Sequence, residues 1–252
     1  LTLGVIASAN SGFLNGNLNF ASIALIFFFE SVSKFIAAAL FAWYGLNHLV
    51  YLSIPISIAV ASMASVLAVS RHSEDFIQTK NHKFPGRFFY ASILTLMSAT
   101  IFLSIDIILV KHFLPPAEAG QYVLLALAGK IIYFLGSLPN AFMISLVSRD
   151  LGMRRDTKRN FKIIFGAVLA LTCVGFLMIG SFGRIIVPLL FGNKAAAILP
   201  YLIEYSAAIV MFTLANSVAV YHLAKKQYLF PSVSFIFSVL MAIGIAANHG
   251  AI

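Results

Sequence analysis

The chain of 252 residues is 61% hydrophobic and only 10% charged, with a mean hydropathy of +0.97. That excludes an ordinary water-soluble enzyme domain, in which roughly a quarter of residues are charged. The formal net charge of +9 would point to nucleic acid in a soluble protein, but in so apolar a chain the placement of the charges decides their meaning.

Apolar runs bounded by polar clusters predict eight segments: 1–15, 19–44, 48–70, 88–113, 118–148, 161–190, 196–222 and 229–248. The fold class is an all-α, polytopic transmembrane helix bundle. The first run is too short to span. It begins at Leu1 already inside an apolar stretch, and the chain ends at Ala251-Ile252 directly after another, which reads as part of a longer protein. The breaks carry turn chemistry at Asn15-Gly16-Asn17, Gly45-Leu46-Asn47, Pro115-Pro116 and Gly192-Asn193, with Pro231 opening the last helix. Pro139 is expected to kink the fifth segment, and Pro55 and Pro188 to act more weakly. No segment has the alternating pattern of a membrane β-barrel. One cysteine, Cys173, excludes a disulfide framework and a cysteine-based metal cluster.

Basic residues concentrate in alternate connections. Stretch 71–87 holds Arg71, Lys80, Lys83 and Arg87; stretch 149–162 holds Arg149, Arg154, Arg155, Lys158, Arg159 and Lys162; the turn at 223–228 holds Lys225 and Lys226. Twelve of the 17 basic residues thus fall on one side, against Lys111, Arg184 and Lys194 on the other. The positive-inside rule makes the basic side cytoplasmic, and the expected location is the plasma (inner) membrane. The charge is mostly a topology signal, so no nucleic acid is expected, and anionic lipid is the expected neighbour of the basic loops.

Stretch 71–87 also carries His72, Glu74, Asp75 and His82, yet it reads as a solvated linker. No H-E-x-x-H, D-x-D, G-x-S-x-G or phosphate-loop motif occurs. Transport, with no enzymatic activity, no catalytic or metal-ligating residues and no cofactor, is the expected class.

Ionisable groups at membrane depth are expensive and therefore informative. Glu30 and Lys34 stand at i and i+4 in the favourable order for a helical ion pair. Counting the helix rise from Asn19 puts Lys34 about 22 Å from the cytoplasmic end. The two form either a structural pair between packed helices or a cavity-lining pair that meets substrate or ion. Lys130 lies about 18 Å into its segment, near the midplane. It has no acidic residue within four positions. It therefore needs a carboxylate on another helix, a wet cavity or an anionic ligand, and Asp106 is the candidate partner. Glu204 reads as a snorkelling carboxylate, and Glu118 and Lys111 as interfacial.

The stretch Ser104-Ile105-Asp106, the acidic turn Pro115-Pro116-Ala117-Glu118-Ala119-Gly120-Gln121-Tyr122, Lys130 and Pro139 together resemble the polysaccharide-transporter family. These are the lipid-linked oligosaccharide flippases of the multidrug, oligosaccharidyl-lipid and polysaccharide exporter superfamily. Pro188-Leu189-Leu190-Phe191-Gly192 is similar to the end of that family's ninth helix, and Leu14 to Phe20 through Glu30-Ser31 to its fourth-to-fifth helix turn. The resemblance covers most of the chain. It implies the middle of a 12–14 helix transporter of two halves, with 1–70 closing the first half, 71–87 a cytoplasmic linker and 88–252 most of the second. It further implies export of a polyprenyl-diphosphate-linked oligosaccharide by alternating access. Lys34 and Lys130 would then contact phosphate, and Glu30 and Asp106 would tune them or carry a coupling proton. A multidrug or cation antiporter of the same superfamily is the alternative, and a membrane glycosyltransferase or polymerase a further one.

Overall fold

Lipid offers no partner to a backbone N–H or C=O, so an apolar run of about 20 residues crosses a membrane only by satisfying its own backbone as a helix. The computed structural model describes residues 2–71 and 85–247, and for residues 193 and 194 the backbone alone. All elements among the described residues are helical. Seven helices are long and apolar enough to span: 20–43, 47–70, 86–113, 116–152, 158–181, 195–224 and 229–247. The protein is an all-α polytopic helix bundle. Large apolar side chains such as Phe28, Phe35, Trp43, Leu189 and Phe237 stand exposed on it, as expected where lipid is the solvent. The expectations placed on Lys80, Lys83, His72, Glu74, Asp75 and His82 lie outside the described residues.

The chain divides into two compact units, Leu1–Lys83 and Phe84–Ile252. In the first, α1 (Thr2–Gly16) turns into α2 (Phe20–Trp43), whose N-terminus is capped by the Asn19 side chain accepting from the Ser22 N–H. Gly45, at φ +71°, ends α2 in the left-handed conformation that glycine takes without a Cβ penalty. A 3-10 turn, Asn47–Leu52, leads into α3 (Ser53–Ser70), which packs against both α1 and α2. Its contact face is small and polar, with Ser57, Ala61, Ser62 and Ser65 buried. Small residues let membrane helices approach closely, and Asn10 Nδ2 donates across the α1–α3 contact to Ser65 Oγ at 3.0 Å. Pro55 lies in the first turn of α3, where its missing N–H costs no hydrogen bond within that helix, directly after the change from the 3-10 turn to α-helix.

In the second unit α4 (Gly86–Phe113) packs along α10 (Leu229–Ala247). Ser98 Oγ lies 2.8 Å from both Ser234 Oγ and Ser238 Oγ in that contact. Helix α5 (Pro116–Ser137) starts with Pro116 at its first position and gives way at Leu138–Phe142 to a 3-10 turn before α6 (Met143–Gly152). The interruption falls at Pro139, as the sequence predicts. The expected single segment 161–190 is instead two helices, α7 (Lys158–Phe176) and α8 (Gly183–Phe191), separated by a π turn, Leu177–Ser181. The break coincides with Gly183, where a Cβ would collide with Leu202 Cδ2. Pro188 lies within α8 without interrupting it. After the 3-10 stretch Asn193–Tyr201, α9 (Leu202–Ala224) runs through the unit and touches α4, α5, α6, α7 and α10.

Helix α9 runs in the same direction as α5–α6. Its first turns meet Tyr122 of α5 through Tyr205, while Tyr221 near its end lies 3.0 Å from Thr157, just beyond α6. The basic stretch 149–162 and Lys225-Lys226 therefore share one end of this unit, and Glu118 and Glu204 stand at the other.

Candidate functional site

Asp106, near the end of α4, is 4% exposed and is the one buried carboxylate in the half of this unit that carries Glu118 and Glu204 among the described residues. Its partners are two tyrosines from neighbouring helices. Tyr122 of α5 donates to Asp106 Oδ2 at 3.0 Å, and Tyr205 of α9 donates to the same oxygen at 3.1 Å. The Ile107 N–H takes the other oxygen at 2.8 Å. The two rings stand edge to face with centroids 6.2 Å apart, a favourable aromatic geometry. Gly129, two turns along α5, makes the arrangement possible. A Cβ there would overlap Tyr205 Cε1 and come within 2.9 Å of Cδ1.

Beside this knot a cavity of about 610 Å³ opens between α5, α9 and the 3-10 stretch before α9. Leu114, Leu125, Ala197 and Ile198 line its apolar part, and Glu118, Gln121, Tyr122, Tyr201, Glu204 and Tyr205 its polar part. Glu118 and Glu204 are exposed, and neither makes an ion pair among the described residues. Glu204 faces this cavity where the sequence suggested only a snorkelling carboxylate.

Lys130 lies on α5, half-buried, without an ion pair among the described residues. The expected Asp106–Lys130 pair is not formed; the carboxylate takes its hydrogen bonds from Tyr122, Tyr205 and the Ile107 N–H instead. The expected helical pair of Glu30 and Lys34 is not formed either. In the first unit Lys34 is exposed on α2, whereas Glu30 is half-buried and lines a cavity of about 300 Å³ with Ser8 and Ser11 of α1 and Ile58 and Ala61 of α3. Suitable spacing places two side chains on one face but does not by itself hold them together.

A second polar group gathers where α5 breaks. Ser217 of α9 donates to Asn140 Oδ1 at 2.8 Å, and Asn216 Nδ2 donates to the Tyr133 hydroxyl at 3.4 Å. Asn140 Nδ2 is buried without a hydrogen-bond partner among the described residues. Nearby, Phe102 stacks on Phe212 at 3.6 Å, forming part of an apolar cavity of about 410 Å³ between α4, α9 and α10.

The tyrosines are what the sequence reading missed. Tyr122 was visible only as part of a motif and Tyr205 only as a neighbour of Glu204. The available signal was a buried Asp at the same depth as two tyrosines on later helices, each able to offer it a hydroxyl. Comparison with protein families, with curated proteins and with solved structures finds no match.

Proposed function

We propose that the chain forms part of an alternating-access transporter of the plasma membrane that moves a lipid-linked oligosaccharide. The observation that carries this reading is Lys130, a half-buried ammonium deep in an apolar span with no ion pair among the described residues. Such a charge is retained at a cost of several kcal/mol unless something anionic reaches it. A polyprenyl diphosphate supplies that anion while its tail stays in lipid. Lys34, exposed on α2, is a further candidate for phosphate, and Glu30 and Asp106 tune local charge or proton traffic. The resemblance of residues 104–140 to the flippases supports the same reading. The interruption of α5 at Pro139 adds a helix break of the kind moving transporter segments use. Loops 71–87 and 149–162 face the cytoplasm and anionic lipid in this scheme.

The test is transbilayer movement of a polyprenyl-diphosphate oligosaccharide in proteoliposomes carrying the full-length protein. Lys130→Ala is expected to slow movement about tenfold to a hundredfold, the equivalent of one charged hydrogen bond of about 1.5–3 kcal/mol. Lys130→Arg is expected to keep a measurable part of the rate. Unchanged movement in Lys130→Ala removes this residue from the substrate path. Export of a cationic dye at equal rates by both proteins would favour the antiporter alternative.

A further inference from the structure

The geometry points to a binding site for an organic ammonium group in the cavity between α5 and α9, whichever solute the protein exports. The cavity, about 610 Å³, lies within the range of small-molecule sites, roughly 300–1,000 Å³. Three tyrosine rings line it, those of Tyr122, Tyr201 and Tyr205, and aromatic faces attract cations.

Hydrogen-bond bookkeeping then selects the ligand. A phenol has one hydrogen to give. Tyr122 and Tyr205 both give theirs to Asp106, behind the cavity wall. What these two hydroxyls have left for a ligand is lone pairs alone. Glu118 and Glu204 bring carboxylate acceptors, and neither is neutralised by a Lys or Arg among the described residues. Among the lining side chains the donors are the Gln121 amide and the Tyr201 hydroxyl. A lining rich in acceptors, aromatic faces and negative charge, with an apolar side at Leu125 and Ile198, suits a protonated amine carrying an apolar body. It disfavours a phosphate, so this site is separate from the diphosphate contact proposed at Lys130.

A dissolved amine and the ammonium of an aminophospholipid headgroup share this chemistry, because the first turns of α5 and α9 stand at one end of their spans. The experiment is saturation-transfer NMR of phenethylamine on the protein in phosphatidylcholine nanodiscs. Empty discs give the background and 2-phenylethanol serves as the uncharged analogue. The amine is expected to bind and the alcohol to give only background. The double variant Glu118→Gln, Glu204→Gln is expected to bind the amine at least tenfold more weakly with unchanged helicity, both side chains being exposed. Replacing half of the phosphatidylcholine by phosphatidylethanolamine identifies the source. Amine signal retained there means a dissolved amine is the occupant, and signal lost means the headgroup holds the site. Equal binding of amine and alcohol, or an unweakened double variant, overturns the proposal. The flippase reading stands or falls separately, since Lys130→Ala leaves amine binding unchanged.

Discussion

Replacing Asp106 by Ala is expected to destabilise the protein by about 3 kcal/mol, since two tyrosine hydroxyls lose their acceptor together, while the Ile107 N–H keeps its helical hydrogen bond within α4. Each orphaned donor costs about 1–3 kcal/mol when fully buried. The sum stays below two full penalties of the upper size because Tyr122 and Tyr205 border an open cavity and can turn to water. Asp106→Asn is expected to cost about 1 kcal/mol. Its single oxygen can serve either the tyrosines or the Ile107 N–H, and the amide NH2 must face the other, so one set of contacts has to reverse. Thermal unfolding of the purified protein, followed by circular dichroism, checks both values. Equal midpoints for Asp106→Ala and the parent would mean that the three-helix knot contributes no stability. If the amine site exists, Asp106→Ala also frees the tyrosine hydroxyls to donate, and phenethylamine binding weakens with Glu118 and Glu204 intact.

Gly136→Val is expected to be at least as damaging, at about 3 kcal/mol or more, because it overpacks the junction of α5, α7 and α9. A Cβ at position 136 would overlap Thr172 Oγ1 and stand 3.1 Å from Thr172 Cβ and 3.2 Å from Thr213 Cγ2. Neither threonine can swing away freely. Both are fully buried, and their hydroxyls are tied to the Val168 and Ile209 carbonyls at 2.6 and 2.7 Å. The smaller Gly136→Ala should cost about 1–3 kcal/mol, the usual range for overpacking. Adding Thr172→Ala removes the atom that the new methyl meets, so the double variant is expected to recover much of that loss. Strict additivity of the two changes in a thermal unfolding series would show that the helices do not approach as closely as described.

Much of the fold was legible because membranes impose a coarse rule. Span lengths, the turn at Gly45, the start at Pro116 and the break at Pro139 follow from hydropathy and from what glycine and proline do to a backbone, with no need to know any neighbour. One segment, 161–190, is expected as a single helix and is two. Its break at residues 177–183 carries a local mark, Gly180-Ser181-Phe182-Gly183, a Gly/Ser cluster that interrupts helices, and Gly183 is also where Leu202 of another helix approaches closely.

The candidate site was less legible than the spans. Lys34, Lys130, Glu30 and Asp106 were singled out by their depth, and depth is a one-dimensional quantity that counting residues supplies. Their partners depend on which way each side chain points around its helix axis. In a soluble helix an apolar stripe reveals that direction. In lipid both the packed face and the outer face are apolar, so the stripe is lost, and Asp106 was assigned to Lys130 when it belongs to Tyr122 and Tyr205.

By itself, then, the sequence determined an all-helical membrane protein, its crossings, its breaks and a charge asymmetry along its connections, because each of these depends on local composition and helix rise. Only the tertiary structure decided that Glu30 and Lys34 stand apart, that Lys130 remains without an ion pair among the described residues, and that an acidic aromatic cavity forms where α5 and α9 meet. The cavity depends on the close approach of α5 to α9 at Gly129, where Tyr205 fills the space a Cβ would take, and that is settled by packing between residues far apart in the chain.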